Sequence, residues 1–267
     1  MNSCAINNEL ELKKIMLDIG IRLWVRGYIA ANEGNISIRT SDGEILITPT
    51  GVSKGFMSQE MIIKINMDGE VISPNNGYSP SSEVKMHLEV YKQRDDVKAV
   101  IHAHPPYSTS FAVAGIPLDS LVLPEAIMTL GAVPIAPYGT PSTSEIPDSI
   151  IPFIQNSDAV LLANHGALTL GIDLTTAYNR METLEHTAHI LYLAIGLGHV
   201  NKIPKEQVDK LMKIRDQMNI PGKIDKSSIS GSCINGSFVT QAKGNSIPEG
   251  LIEIITKRVL KRLKQME

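Results

Sequence analysis

The residues best suited to chemistry in this chain are two histidines one position apart, closing the apolar run Val97-Lys98-Ala99-Val100-Ile101-His102-Ala103-His104-Pro105. Side chains on a strand alternate between faces, so a strand here puts His102 and His104 on one face. Two imidazoles on one face can share one Zn²⁺, each at about 2.0–2.1 Å. A third histidine has the same context in Leu161-Leu162-Ala163-Asn164-His165-Gly166, after an apolar strand and at a chain turn. Three His ligands leave coordination positions open, as a catalytic metal requires and a structural one does not. His-x-His-Pro also occurs in JAMM-type metalloproteases, but the Ser and Asp that those need at fixed spacing downstream are absent here.

Two further motifs bear on an anion. Gly51-Val52-Ser53-Lys54-Gly55 matches the nucleophile-elbow pattern G-x-S-x-G. The elbow needs a strand, a sharp turn and a helix, yet Pro49 interrupts the strand and Phe56-Met57-Ser58 opens no helix. A phosphate cradle suits the segment better, because Thr50, Gly51, Ser53 and Lys54 offer backbone N–H groups, hydroxyls and an ammonium. In Ser81-Ser82-Glu83, two hydroxyls stand at a predicted helix N-terminus, which favours negative charge. They could equally be simple caps. A carboxylate beside a metal and a phosphate pocket, however, can move a proton to and from a held substrate, which is the role expected of Glu83.

The elements that must position these residues follow from periodicity and turn signals. Ile15, Ile19 and Leu23 mark a lead helix over about Glu9 to Gly27, ended by Gly27. Ile36 to Arg39 and Ile45 to Thr48 are strands joined by a turn at Asp42-Gly43. Ile62 to Met67 and Glu70 to Ser73 form a second hairpin around Asp68-Gly69. A helix from Glu83 to about Lys92 carries Val84, Leu88 and Tyr91 as its apolar stripe. Then come the His-bearing strand, a helix near Ser108 to Ala114, and a stretch from Leu118 to Leu130 that is helical in its second half. A strand over Val133 to Ala136, a helix over Ile146 to Asn156, a strand over Ala159 to Ala163 and a long helix from about Leu174 to Leu197 complete the body. This reads as one α/β domain, an α/β/α sandwich around a mixed, mostly antiparallel central sheet.

Residues 1–200 are expected to form the catalytic domain, and residues 201–267 a C-terminal extension of helix, loop and helix. Its last segment, Leu251 to Leu263, reads as a basic amphipathic helix docked on the body or on a neighbouring subunit. With 25 Lys and Arg against 28 Asp and Glu, the chain has no broad attraction for nucleic acid or an anionic membrane. Any substrate phosphate must therefore be held locally. Two cysteines far apart, Cys4 and Cys233, favour a reducing compartment. Met1 to Lys14 lacks an apolar signal region, so the expectation is a cytoplasmic protein.

Taken together, these motifs resemble the class II aldolases of the AraD/adducin superfamily, near the L-fuculose-1-phosphate aldolases. The resemblance covers about Glu9 to Leu197. It runs through Gly34-Asn35-Ile36-Ser37, Thr50-Gly51-x-Ser53-Lys54-Gly55, Ser81-Ser82-Glu83, His102-x-His104 and Asn164-His165-Gly166. It implies Zn²⁺, or Mn²⁺ or Co²⁺ in its place, on His102, His104 and His165. It implies substrate phosphate on Asn35, Thr50, Gly51, Ser81 and Ser82, and Glu83 as proton shuttle; Ser53 and Lys54 are further candidate contacts from the cradle reading. It also implies a C4 homotetramer. The implied reaction is reversible cleavage of a ketose 1-phosphate, such as L-fuculose 1-phosphate or a related 5-deoxy sugar, to dihydroxyacetone phosphate and an aldehyde.

The chain departs from those aldolases over Leu121 to Ala126, where it lacks their tyrosine and carries Glu125 instead. Related sugar-1-phosphate dehydratases of the methylthioribulose-1-phosphate type have a catalytic glutamate about there, which makes Glu125 a second catalytic candidate and dehydration an alternative reaction. Pentulose-phosphate 4-epimerases carry Asp where this chain has Glu83, and adducin-like chains lack the metal histidines.

Overall fold

The computed structural model describes residues 3–73 and 76–225. The chain divides into a unit over Met1–Ser230 and a second over Gly231–Glu267. The second unit, and with it the amphipathic segment at 251–263, lies outside the described residues.

A lead helix, α1 (Ser3–Val25), ends in a Schellman turn: Gly27 takes φ 71°, its N–H donates to the Trp24 carbonyl, and Tyr28 N–H donates to the Leu23 carbonyl. The first hairpin joins β1 (Asn35–Arg39) to β2 (Ile45–Ile47), with Gly43 at φ 86° in its turn. β3 (Ile63–Ile65) pairs with β2, and its own return is a single bridge from Ile65 to Val71, so the second hairpin is shorter than the sequence suggests. Next are α2 (Val84–Gln93), β4 (Ala99–Ala103), α3 (Pro106–Ala114), α4 (Pro124–Thr129), β5 (Ile135–Ala136), α5 (Glu145–Ile154) and β6 (Ala159–Leu162). The chain continues through β7 (Gly166–Gly171), α6 (Leu174–Gly196) and α7 (Lys205–Gln217). Among the described residues, no helix is long and apolar enough to cross a membrane.

The sheet has seven strands in the order β3-β2-β1-β4-β7-β6-β5, antiparallel throughout except for the β5–β6 pair. This is the mixed, mostly antiparallel sheet expected. The sequence reading missed β7, which lies between β4 and β6 and pairs with both. All six of its residues are buried, so it shows no alternation of polar and apolar positions. Glycines at both ends also read as loop.

Strand alternation divides the interior into two cores. Ile36, Ile38, Ala99, Ile101, Leu161 and Ala167 face Met16, Leu23, Leu184 and Ala188 of α1 and α6. Val100, Val160, Leu162, Leu168 and Leu170 face Met86, Val90, Ile150 and Ile154 of α2 and α5. A small third cluster joins Ile127 of α4 to Val208 of α7 and Ile224. Arg215 fastens that cluster by donating to the carbonyls of Met128 and Gly222. α7 is therefore packed within the first unit.

Candidate metal centre

The three histidines reach one point from two neighbouring strands. His102 is the fourth residue of β4, and His104 lies just beyond its end. His165 sits in the turn between β6 and β7, where Asn164 takes φ 55° and His165 N–H donates to the Leu162 carbonyl. Leu168 lies opposite His102 in the β4–β7 register, which brings that turn alongside. The close approach depends on Gly166. A Cβ there would lie 2.5 Å from the Ala103 carbonyl oxygen and 2.6 Å from His104 Cδ2. Among the described residues, one ligand atom from each of His102, His104 and His165 falls within 4.8 Å of the others.

The donor set fits a cation. His102 Nδ1–H donates to the Ala167 carbonyl at 2.9 Å, which leaves Nε2 as a bare lone pair. That Nε2 lies 3.0 Å from His104 Nε2 and 3.3 Å from Glu83 Oε2. Glu83 Oε1 is 3.3 Å from His165 Nε2. Burial lowers all three imidazoles, His104 to about 4, so they are neutral ligands at physiological pH. Burial alone would raise Glu83, but positive charge at the His102 and His165 positions and an N–H from Asn35 outweigh it and hold the carboxyl below its usual range. Lone pairs and a carboxylate converging in this way repel unless a positive charge lies among them.

Glu83 directly precedes α2, where it occupies the cap position, so the helix begins one residue later than expected. Ser81 Oγ accepts the Glu83 N–H at 3.3 Å, turning the chain into the helix. Glu83 Oε2 also accepts from Asn35 Nδ2 at 2.8 Å. Asn35 is buried in β1, directly opposite His102 in the ladder, with its amide against the carboxylate.

The remaining expected anion contacts are partly gathered. Thr50 N–H donates to the Ser79 carbonyl and Ser81 N–H to the Thr48 carbonyl, which lays the Thr50-Gly51 turn beside Ser81. Thr50, Gly51 and Ser82 are exposed, and Gly51 takes φ 70°. Lys54 is buried, and its ammonium donates to the carbonyls of Asn32 at 2.6 Å and Val52 at 2.9 Å. Burial lowers its pKa to about 8. Short 3₁₀ turns at Lys54–Phe56 and Gln59–Met61 follow, not the helix a nucleophile elbow requires. Ser53 Oγ is buried without a hydrogen-bond partner.

Glu125 is exposed at the start of α4. It lines a cleft of about 490 Å³ with Arg26, Tyr28, Tyr107, Glu182 and His186. The cleft borders the metal centre through Tyr28, whose carbonyl accepts the His104 N–H. Sequence reasoning missed this cleft and also missed His87, which is fully buried beside Asn35.

Comparison with known proteins places this geometry in context. A family model described as Class II Aldolase and Adducin N-terminal domain matches residues 14–192. A 3-oxo-tetronate 4-phosphate decarboxylase from Pectobacterium atrosepticum is 32% identical over 193 residues, spanning 71% of this chain and 87% of that protein. An L-fuculose phosphate aldolase from Methanococcus maripaludis is 37% identical over 176 residues, spanning 66% of this chain and 93% of that protein. A solved structure of an L-fuculose 1-phosphate aldolase aligns with a TM-score of 0.70 at 30% identity, covering 77% of this chain and 96% of that one.

Proposed function

The chain belongs to the class II aldolase and adducin family, and from that premise we propose that it cleaves a ketose 1-phosphate reversibly to dihydroxyacetone phosphate and an aldehyde. The observation that carries this reading is Glu83, a half-buried carboxylate 3.3 Å from two of the three converging histidines and oriented by Asn35. His102, His104 and His165 would hold the ion. A bound divalent cation such as Zn²⁺ supplies a Lewis acid that polarises the ketone oxygen.

The protein's own groups account for the proton movements. In retro-aldol cleavage the bond from C3 to C4 breaks, its electron pair stays on C3, and the C4 hydroxyl loses its proton as the aldehyde forms. A new proton must then reach C3. Glu83 is placed to handle a proton at that centre, because no other carboxylate converges on the histidines among the described residues. The phosphate is assigned to Asn35, Thr50, Gly51, Ser81 and Ser82, with Ser53 beside them. Capture through local donors suits a chain with net charge -3. Lys54 serves that loop indirectly, since its ammonium ties the Asn32 and Val52 carbonyls together. The C4 homotetramer belongs to the same proposal. Exposed Tyr192, Leu193, Ile195 and Leu197 on α6 and its end suit a subunit contact, which light scattering would test.

A second reading is favoured by the decarboxylase among the similar proteins. A 3-oxo acid phosphorylated at its far end breaks an equivalent bond next to the ketone. Loss of CO₂ from a 3-oxo-tetronate 4-phosphate also leaves dihydroxyacetone phosphate. The two reactions share the metal, the phosphate and the proton delivered to carbon, and they differ in the departing fragment. Metal-loaded protein should be incubated with a panel of ketose 1-phosphates and with 3-oxo-tetronate 4-phosphate. The proposal expects dihydroxyacetone phosphate with a stoichiometric aldehyde. Release of CO₂ from the acid alone assigns the decarboxylase. No product from any of them removes both readings.

A further inference from the structure

We infer that His87 is a positioning residue: it locks the Asn35 amide so that its nitrogen faces Glu83. The inference rests on the proposed metal-dependent cleavage, for which Glu83 must be held in one orientation.

The geometry arises from two matched repeats. Residues four apart on a helix are about 6 Å apart along its axis, and residues two apart on a strand are about 6.6 Å apart. Glu83, His87 and Tyr91 therefore run in step with Asn35, Ser37 and Arg39 of β1. The contacts follow that pairing. Asn35 Nδ2 meets Glu83 at 2.8 Å, and Asn35 Oδ1 meets His87 Nε2. His87 Nδ1 lies 2.6 Å from Ser37 Oγ, which lies 2.7 Å from Tyr91 Oη. Arg39 then donates to the Tyr91 carbonyl and stands over the Tyr91 ring, 5.0 Å from its centroid.

The direction of each bond is forced from the Glu83 end. An ionised carboxylate only accepts, so the Asn35 atom facing it is the nitrogen. Asn35 Oδ1 is then an acceptor, and His87 Nε2 must carry the hydrogen. His87 Nδ1 is left as the lone pair, so Ser37 donates to it and in turn accepts from Tyr91 O–H. His87, Ser37 and Tyr91 are all buried, so water does not substitute for any of these partners cheaply. A flipped Asn35 would set its carbonyl against the carboxylate. With the flip blocked, one Nδ2–H holds Glu83 and the second stays available to an anion.

The test exploits side-chain reach. In Gln the amide nitrogen lies about as far along the side chain as Nε2 of His, whereas Asn reaches only as far as Nδ1. His87→Gln keeps the donor to Asn35 and His87→Asn loses it, although both bury an amide. Loss of such an outer partner costs about 10- to 100-fold. We expect that fall in kcat for His87→Asn, with metal content little changed, and recovery of most of the rate in His87→Gln. Should His87→Asn fail to fold, Ser37→Ala takes its place, with a smaller fall in the same direction expected. Equal kcat in the folded variants and wild type overturns the inference, as does an equal loss in His87→Asn and His87→Gln. A second readout needs no turnover. In metal-loaded wild type, the ¹⁵N shifts of His87 should report the neutral Nε2–H tautomer from about pH 5 to pH 8. An Nδ1–H tautomer or a protonated ring overturns the inference, even if the substrate panel shows the cleavage reading itself to be wrong.

Discussion

Facing α1 and α6, the strands present Ile36, Ile38, Ile101 and Leu161. Facing α2, the neighbouring positions on β1 and β4 are Asn35, Ser37 and His102, all buried and all hydrogen-bonded. The apolar face is not free of polar groups, since Thr169 is buried there. Its hydroxyl is used locally, donating to the Ala177 carbonyl at 2.9 Å. On the other face, polar groups are chained from Tyr91 to Glu83 and end at the histidines. The comparison teaches where this fold places stability and where it places chemistry. One face is held by non-directional burial that tolerates adjustment. The other gives up apolar packing near one edge of α2 for directional bonds, in which each partner fixes the next.

Substitutions on the two faces should separate these roles. The largest effect on turnover is expected from Glu83→Gln, which removes the ionisable group while preserving its shape. Steady-state kinetics should show kcat lower by about 10²- to 10⁴-fold with metal retained. Glu125→Gln, in the neighbouring cleft, should fall less, and the reverse order would move the assignment to a dehydratase that uses Glu125. Next comes Ser82→Ala. A hydrogen bond to a charged group is worth about 1.5–3 kcal/mol, so phosphorylated substrates should bind roughly 10- to 100-fold more weakly. Dephosphorylated ketoses turned over as well as their phosphates would count against the pocket.

On the apolar face the expected pattern inverts. Leu161→Ala should cost about 2–5 kcal/mol in denaturant unfolding while leaving kcat of the folded protein near wild type. A large kcat loss there would mean that the two faces are coupled. The most specific effect is in the pH dependence of stability. Burial pushes His87 down from 6.5 to about 3, with His102 adding to the shift and Glu83 opposing it. Below pH 6.5 the unfolded chain binds a proton that the folded protein refuses. Stability is therefore complete above 6.5 and is lost as pH falls toward 3, at up to about 1.4 kcal/mol per pH unit for one proton. His102, His104 and His165 act in the same sense in metal-free protein. His87→Gln should make the acid limb of an unfolding series shallower, and an unchanged slope would show that His87 contributes nothing to it.

Much of this was legible in the sequence. Asp-Gly turns marked the hairpins, and His102-x-His104 at the end of an apolar run marked the candidate metal centre, because strand alternation converts spacing into a shared face. β7 was hidden because burial on both faces erases alternation. The polar chain behind Glu83 was hidden for a different reason. The α2 pattern of Val84, Leu88 and Tyr91 read as an apolar stripe, and nothing in a single helix shows that its Glu83, His87 and Tyr91 register with Asn35, Ser37 and Arg39 of a strand far away in sequence. The departing fragment could not be read either, since an aldolase and a decarboxylase can share every group that the histidines, Glu83 and the Thr50-Gly51 turn provide.

The central claim is that these histidines hold the ion on which cleavage depends. The most direct test strips the protein with a chelator, titrates Zn²⁺ back, and follows bound metal and dihydroxyacetone phosphate release together, in wild type and in His165→Ala. The account predicts that wild-type activity is absent after stripping, rises in proportion to bound metal and saturates at about one ion per chain, while His165→Ala fails to regain it. Full turnover by the stripped protein, or normal metal occupancy and activity in His165→Ala, would contradict it.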